Sequence, residues 1–440
     1  MRWTTAEIAS AVGGRLVGGD VAVDRVTQDS REIDPSAGSW CFVPLVAERD
    51  GHDFVPTAIG AGAVATFAAQ PVDAGDAVVI EVASTDEALT AFGAAARDRL
   101  GEAAVIGITG SVGKTTTKDL LAAVLRRDRT THANLRSFNN EIGVPLTLLG
   151  APDDSRAVVL EMGARGVGHI ATLCRTARPT VGIVTTVGKA HTSEFGSVEA
   201  VALGKGELVE SLPVEGFAVL NADNPYVASM ADRTEASVVT FGDAGEVRAE
   251  SVTIAEDLVP SFRLVSPWGD VNVRLGVQGD HLIPNALAAV AAALPLGVSL
   301  ERLAAGLEDP DRSPMRMAMK TAPSGARIID DTYNANPLSV AGAIEALARV
   351  PADRKVAVLG VMAELGESSR TDHERIVALA ADRGILVFAV DAPEYGGSAV
   401  HVADIEEAEA VLGALDAATA VLVKGSRVAA LERLVARLLG

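Results

Sequence analysis

Cysteine is nearly absent: Cys41 and Cys174 are the only two in 440 residues, and nothing around them has the paired spacing of a zinc site. A disulfide framework is excluded and a reducing compartment fits. Positive charge is also in deficit. With 38 Lys and Arg against 58 Asp and Glu, the net charge of −20 argues against a chain-wide nucleic-acid surface, so any anionic ligand must be held locally. The opening MRWTTAEIASAVGG carries Arg2 and Glu7 and lacks the apolar core of a signal peptide. The longest uncharged stretches, 55–72 and 286–300, contain Pro and Gly and are too short or too weakly apolar to span a bilayer. The expectation is a cytoplasmic protein with no membrane insertion and no nucleic-acid partner. There are no heptads, no low-complexity tract and no repeat of solenoid length, and 42 Gly with 19 Pro fall well short of a disordered or collagen-like composition.

What is present is length enough for about three domains and an ordered alternation of apolar patterns. Residues 1–100 read as a small mixed unit, with a capped helix over 5–11, strands near 21–27 and 40–43, an Ala-rich helix from 53, strands over 63–67 and 78–82, and a helix over 85–99. Strands over 105–109, 157–161, 181–187, 217–220 and 238–241 then alternate with helices over 114–127, 167–175 and 198–211. Such alternation means a largely parallel sheet covered on both faces. Segments at 247–254, 261–264 and 271–277 suggest a small antiparallel extension before a helix over 284–294. Pro310, Pro314 and Pro323 punctuate a transition. After it, strands over 326–329, 355–360, 386–390 and 420–423, with helices over 338–350, 369–383 and 427–439, form a second doubly wound unit. The fold class expected is α/β in three domains: a small mixed N-terminal domain over 1–100, a central P-loop parallel-sheet domain over 101–313 and a C-terminal Rossmann-like domain over 314–440.

The strongest local signal is GITGSVGKTTTKD at 107–119, between a strand and a helix. Its glycines let backbone N–H groups curl around a phosphate, the helix N-terminus adds partial positive charge and Lys114 a full one. Thr115 can bind Mg²⁺ through its hydroxyl. The bland alternative is a Gly-rich turn capping a helix. Gly110 and Gly113 enclose only Ser111 and Val112, two residues fewer than the standard phosphate loop, which narrows the family. Glu161 ends the next strand, where it would suit Mg²⁺ or stand as a solvated strand-end carboxylate. His191 follows the strand after that; a lone His is more often a satisfied hydrogen-bonder, while its position favours a ligand role.

These residues resemble the Mur ligase family, the ATP-dependent amide-forming enzymes of peptidoglycan precursor synthesis. The likeness runs the length of the chain: TGSVGKTT (109–116), NLRSFNNEIGVPLTLL (134–149), EMGAR (161–165), AHTSEFGS (190–197), KGEL (205–208), NADN (221–224), GDHLIPNALAA (279–289), DDTYNANP (330–337), MAELG (362–366) and VKGSR (423–427). Within the family, NNEIGVP, KGEL, MAELG and KGSR are similar to the ligase that joins D-alanyl-D-alanine to UDP-N-acetylmuramoyl-tripeptide. The DNPR segment of the meso-diaminopimelate-adding ligase is missing.

The resemblance implies roles that spacing does not give. Gly110, Ser111, Val112, Gly113, Lys114, Thr115 and Thr116 would hold ATP, Asn285 would contact adenine, and Arg316, Asp331 and Asn334 would reach the nucleotide from the third domain. Ser30 and Arg31, in QDSR, would meet the uridine diphosphate. Asn139, Asn140 and Arg165, with Lys424, Ser426 and Arg427, would bind the two substrates. Thr115, Glu161, His191 and Lys205 would hold two Mg²⁺ ions, with Lys114, His191 and Lys205 catalytic and Lys205 carbamylated. Arg15 and Lys189 have no assigned role, and a monomer is expected.

Each motif also has a structural reading. DDTYNANP is a turn and helix N-cap by composition, VLGVMAELG a strand leaving into a loop with Met362 buried, and KGSRVAALERL a capped helix with Lys424 and Arg427 in water. Lys205 would be a solvated helix lysine near Glu207 and Glu210. Two rival functions stand beside this one, the first sharing the shortened loop and the second of another class. A folylpolyglutamate-type synthetase would need a different first site from QDSR and NNEIGVP, and a nucleotide-dependent assembly ATPase would leave DDTYNANP and KGSR without a task.

Overall fold

The computed structural model describes residues 1–134, 138–188, 195–311 and 313–440. The apolar runs AVIGIT, AVVLE, VGIV and FAVLN become strands Ala104–Thr109, Ala157–Glu161, Val181–Val184 and Phe217–Asn221. Being apolar on both faces, they suit the interior of an all-parallel sheet, which Thr131–Ala133 and Ser237–Phe241 complete at its edges. Strand Ala104–Thr109 lies between Ala157–Glu161 and Val181–Val184, so the chain leaves it to both sides and a crevice opens at the carboxyl ends. Helices Lys114–Arg126, Ile283–Ala293 and Leu300–Glu308 bury one face of the sheet; Gly143–Gly150, His169–Ala177 and Val198–Glu210 cover the other.

Gly107 and Gly182 are register partners on adjacent strands. A Cβ on either would stand 2.9 or 3.0 Å from the Leu208 side chain, so the pair forms a notch into which helix Val198–Glu210 settles.

The first unit is a five-stranded sheet in the order Arg15–Val17, Val78–Glu81, Ala63–Ala68, Trp40–Phe42, Arg25–Thr27, antiparallel only in its first pair. Helix Thr85–Arg99 buries Leu89, Phe92 and Ala96 in a core that continues into the central unit. Its Gly93 lies against Pro145, where a Cβ would come within 2.6 Å. Arg97 reinforces this junction by donating from Nε to Ala177 O at 3.0 Å and from Nη1 to Gly101 O at 2.9 Å. The third unit orders Ala318–Thr321, Arg327–Asp331, Thr419–Lys424, Arg354–Leu359, Leu386–Val390 and Val400–Val402, again antiparallel only at the first pair. Strands Arg248–Ile254, Pro260–Ser266 and Gly269–Arg274 form a separate antiparallel sheet. Among the described residues no helix is long and apolar enough to cross a membrane.

Three elements differ from the sequence reading for identifiable reasons. The strand expected over 181–187 stops at Val184, because the next carbonyls serve side chains and the phosphate loop: Asn221 Nδ2 donates to Thr185 O, Ser111 N to Thr186 O and Asn224 Nδ2 to Val187 O. The helix expected over 427–439 is broken. A 3₁₀ turn Arg427–Ala429 ends at Ala430, whose φ of 47° cannot continue a right-handed helix, and Glu432–Leu439 starts afresh. The Ala-rich helix from 53 begins instead as a 3₁₀ turn, Gly51–Phe54, which the Asp50 carboxylate caps before Val55–Gly60.

Candidate functional site

The loop after strand Ala104–Thr109 takes backbone conformations that side chains oppose. Gly110 has φ 150° and Gly113 φ 88°, and a Cβ on Gly113 would lie 2.0 Å from Asn285 Nδ2. That approach is used: Asn285 Nδ2 donates to Gly113 O at 3.3 Å and to Thr117 Oγ1 at 3.2 Å. On the other side Ser111 Oγ donates to Gly188 O, and the Thr185 hydroxyl donates to Val112 O. The loop is thus held between two elements, with Thr116 half-buried on the first turn of the following helix. Lys114 Nζ donates to Gly110 O at 2.7 Å, and burial together with Arg316 pushes its pKa down while Glu161 and Glu364 pull it up.

Glu161 is buried, at 2% exposure, which removes the solvated reading. Its Oε2 accepts from Thr115 Oγ1 at 2.8 Å and its Oε1 from Asn139 Nδ2 at 2.9 Å. A hydroxyl and a carboxylate at one strand end are hard oxygen donors of the kind Mg²⁺ takes, so the residues fit that ion. Among the described residues no three His, Cys, Asp or Glu side chains cluster as a metal site. His191 and Lys189 lie outside the described residues.

Lys205 is also buried, at 1%, which removes the alternative of a solvated helix lysine. Helix Val198–Glu210 turns it inward, and burial, reinforced by the charge of Lys114, drives its pKa well below the ordinary lysine value. No carboxylate among the described residues pairs with it. Two positions on, Glu207 accepts from Ala171 N at 2.9 Å and from Gly168 N, capping helix His169–Ala177. Glu210, the other acid expected near Lys205, instead pairs with Arg233.

The third unit reaches this rim. Arg316 Nη2 donates to Thr115 Oγ1 at 3.0 Å, and its guanidinium stacks 4.2 Å from the Tyr333 ring centroid. Its neighbours Met315 and Met317 both have left-handed φ, 61° and 49°, so the segment is bent sharply to deliver the arginine. Asp331 accepts from Met317 N and from Lys424 Nζ, and Lys424, 2% exposed rather than in water, also donates to Asn334 O at 2.8 Å. The Asn334 carboxamide accepts from Ala335 N. Ser426 Oγ ties two loops together, donating to Ala335 O and accepting from Ala363 N at 2.9 Å. Met362 is buried, its N–H donating to His373 Nε2. DDTYNANP does contain an N-cap, since Asn336 forms a capping box with Ser339.

The remaining predicted residues are more exposed. Asn140 Oδ1 accepts from Gly143 N at 2.9 Å, starting the helix Gly143–Gly150, and Arg165 is exposed beyond Glu161. Arg427 pairs with Glu432 at 2.9 Å. Ser30 and Arg31 sit on a 3₁₀ turn of the first unit, where Arg31 donates to the Asp29 carboxylate from Nε at 2.8 Å and from Nη2 at 2.6 Å. Among the described residues no hydrogen bond joins that pair to the phosphate-loop cluster; Gly110–Thr116, Asn139, Glu161, Asn285 and Arg316 are the ones brought together.

The Mur ligase middle domain matches residues 108–293, and the Mur ligase, glutamate ligase domain matches 315–427. A UDP-N-acetylmuramoyl-tripeptide--D-alanyl-D-alanine ligase of Mycobacterium tuberculosis is 41% identical, over 90% of this chain and 84% of its own. The chain belongs to the Mur ligase family. Among solved structures, a MurF from Acinetobacter baumannii superimposes with a TM-score of 0.90 at 31% identity, covering 100% of this chain and 99% of that one. A MurF ligase from Thermotoga maritima, solved in complex with ADP, gives 0.82 at 29% identity, covering 94% and 96%. As a Mur ligase the chain is an ATP-dependent ligase of peptidoglycan precursor synthesis.

Sequence reasoning missed two residues that hydrogen-bond behind the Glu161 end of this Mur ligase site. Asn134 Oδ1 accepts from Glu161 N at 3.1 Å, and Lys118 Nζ donates to Asn134 O at 2.9 Å. Both lie within motifs read for other residues, and Lys118, five positions from Gly113 on a helix, carried no signal of burial.

Proposed function

We propose that this ligase joins D-alanyl-D-alanine to UDP-N-acetylmuramoyl-tripeptide, with cleavage of ATP to ADP and phosphate. The observation that carries this reading is the hydrogen bond of Arg316 to Thr115, because it sets a cation of the third unit on the phosphate loop of the second. A transferring γ-phosphoryl group lying there would have Lys114, the loop N–H groups and Arg316 around it. The carboxylate of the tripeptide attacks the γ-phosphorus, ADP leaves and an acyl phosphate remains. The amine of D-alanyl-D-alanine then attacks the acyl carbon, loses a proton and expels phosphate. Water must be kept out between the two steps, which is the task assigned to closure of the third unit.

Residues 1–100 take the uridine diphosphate, with Ser30 and Arg31 as contacts; 101–313 hold ATP; 314–440 close on it and bind the dipeptide. Asn285, Asp331 and Asn334 complete the nucleotide site. Asn139, Asn140 and Arg165 face the tripeptide end, and Ser426, Arg427 and Lys424 the dipeptide. Since Lys424 already donates to Asp331 and Asn334, one N–H is left for a ligand. Magnesium, bound by Thr115 and Glu161 and at a second position by His191 and Lys205, would neutralise charge as two anions approach.

Lys205 would serve as a carbamate. Its neutral amine, favoured by burial and by Lys114, attacks CO₂, forming an N–C bond and releasing one proton to solvent, and the product presents carboxylate-like oxygens. Lys205→Ala should lose activity and regain part of it with short-chain carboxylic acids. The chain would act in the cytoplasm as a monomer, supporting cell shape and division through the cell wall. Phosphate release measured with and without UDP-tripeptide and D-alanyl-D-alanine tests the whole reading: release that needs both substrates supports it. Release without either points to an ATPase, and release with a folate and glutamate to the folylpolyglutamate-type reaction.

A further inference from the structure

Lys118 is a buried cation, 3% exposed, one helical turn beyond Lys114. Its Nζ meets two groups: Asn134 O at 2.9 Å and the Asp119 carboxylate, next in sequence, at 3.1 Å. Each leads to a different part of the site. Asn134 follows strand Thr131–Ala133, and its own side chain continues the path, accepting from Glu161 N at 3.1 Å and donating to Phe138 O at 3.4 Å. One residue beyond, Asn139 closes the circuit by donating to Glu161 Oε1 at 2.9 Å and accepting from Gly163 N at 2.7 Å. Asp119 leads the other way. Its Oδ2 accepts from Ser313 N at 3.1 Å, three residues before Arg316, whose guanidinium returns to Thr115.

Both paths therefore start on one turn of the helix and end at the Thr115–Glu161 pair, one at the carboxylate and one at the hydroxyl. A buried ammonium is costly to desolvate, and here it replaces its water with one carbonyl and one carboxylate, leaving little freedom to either partner.

We propose that Lys118 is a positioning residue for Glu161, acting through Asn134, and that its pairing with Asp119 makes the same turn of helix anchor the segment that delivers Arg316. The inference rests on the reading of Glu161 as a magnesium ligand. Without Lys118, the Asn134 carbonyl loses that charged donor and the path to Glu161 loses its anchor on the helix, so the carboxylate is presented with less definition although every group that touches the nucleotide remains.

The test is calorimetric titration of ADP into the full chain at stepped magnesium concentrations, beside a thermal melt of each variant. Lys118→Met and the double variant Lys118→Met/Asp119→Asn, which leaves no unpaired buried charge, should raise the magnesium concentration for half-maximal ADP affinity by at least about tenfold. Lys118→Arg, which keeps a charged donor, should stay within a few-fold of the parent. Arg97→Met removes another buried cation, one that among the described residues donates only to backbone carbonyls, and should lower the melting temperature without moving the magnesium dependence. Parental magnesium dependence in both Lys118→Met proteins, or an equal shift in Arg97→Met, overturns the inference. If neither Lys118→Met protein folds, Asn134→Ala cuts the same path at its far end and is judged by the same criterion. A parent protein whose ADP affinity ignores magnesium overturns the reading of Glu161 itself, and is distinguishable because it appears before any substitution is made.

Discussion

Asp331 and Lys424 stand at the carboxyl ends of adjacent parallel strands, at the same register position, and are joined there by a buried ion pair. Asp331 also accepts from Met317 N, next to the Arg316 whose guanidinium reaches Thr115 of the second unit. A buried pair of this kind is worth little against an apolar substitute, but removing one partner strands the other. Lys424→Met should therefore destabilise the protein by about 3–5 kcal/mol, and Lys424→Met/Asp331→Asn should recover most of that loss. Urea denaturation reads both. The double variant should still make no amide, which separates the structural use of the pair from its use toward ligand.

Lys114→Ala should leave the fold intact, because the lysine is half-buried and its one described hydrogen bond goes to Gly110 O in its own loop. Turnover should fall by roughly 10²–10³-fold or more, the scale seen when one charge-stabilising donor is removed. Phosphate release is the assay, with circular dichroism as the control. Near-normal turnover would sink the phosphate-loop assignment.

Gly113→Ala combines two penalties. At φ 88° an L side chain is strained, by about 1–3 kcal/mol, and its Cβ would displace the Asn285 carboxamide 2.0 Å away. Nucleotide binding should be lost together with part of the stability. Asn285→Ala clears the clash but leaves the strain, so the double variant should regain stability only in part and should not regain ADP binding by calorimetry.

The buried Lys205 sets a pH dependence whose sign is opposite to that of a paired lysine. Its folded-state pKa lies below the ordinary value of 10.5, so between the two values the unfolded chain binds more protons. In CO₂-free buffer, stability should therefore rise with pH across that window, and below the depressed value the full cost of burying the amine is present. Lys205→Met should be more stable than the parent at neutral pH and should lose that part of the slope. A slope unchanged by the substitution would contradict the burial.

The central site was the most legible part of the sequence because its conformation is dictated by residues with few options. Two glycines, a lysine and a threonine between a β-branched run and a helix leave one arrangement for the chain. The long periodic helix Thr85–Arg99 was legible for the same reason, and the short apolar run of strand Ala157–Glu161 because it sits in a strand–helix alternation. Helix Gly143–Gly150 was not: GVPLTLLG is apolar all round and contains a proline, so it shows no period. Strands Thr131–Ala133 and Val400–Val402 are three residues each, too short to alternate. The burial of Lys118 and Lys424 was illegible in principle, since what turns a lysine inward is the packing of elements far apart in sequence, and that of Lys205 followed only from the family resemblance. The break at Ala430 likewise shows no Gly or Pro to announce it.

The notch formed by Gly107 and Gly182 has a bearing on any screen for impaired variants. It fixes how deeply helix Val198–Glu210 sits, and hence how near Lys205 is carried to Lys114, without contributing one polar atom. A methyl group on Gly107 would act as a shim: at 2.9 Å from Leu208 and 3.1 Å from Met162 Sδ it would force both side chains to shift, and press on the helix that carries Leu208. Such a protein would fold, bind nucleotide and yet work slowly. A survey of activities alone would mark a glycine in the middle of the sheet as though it touched substrate.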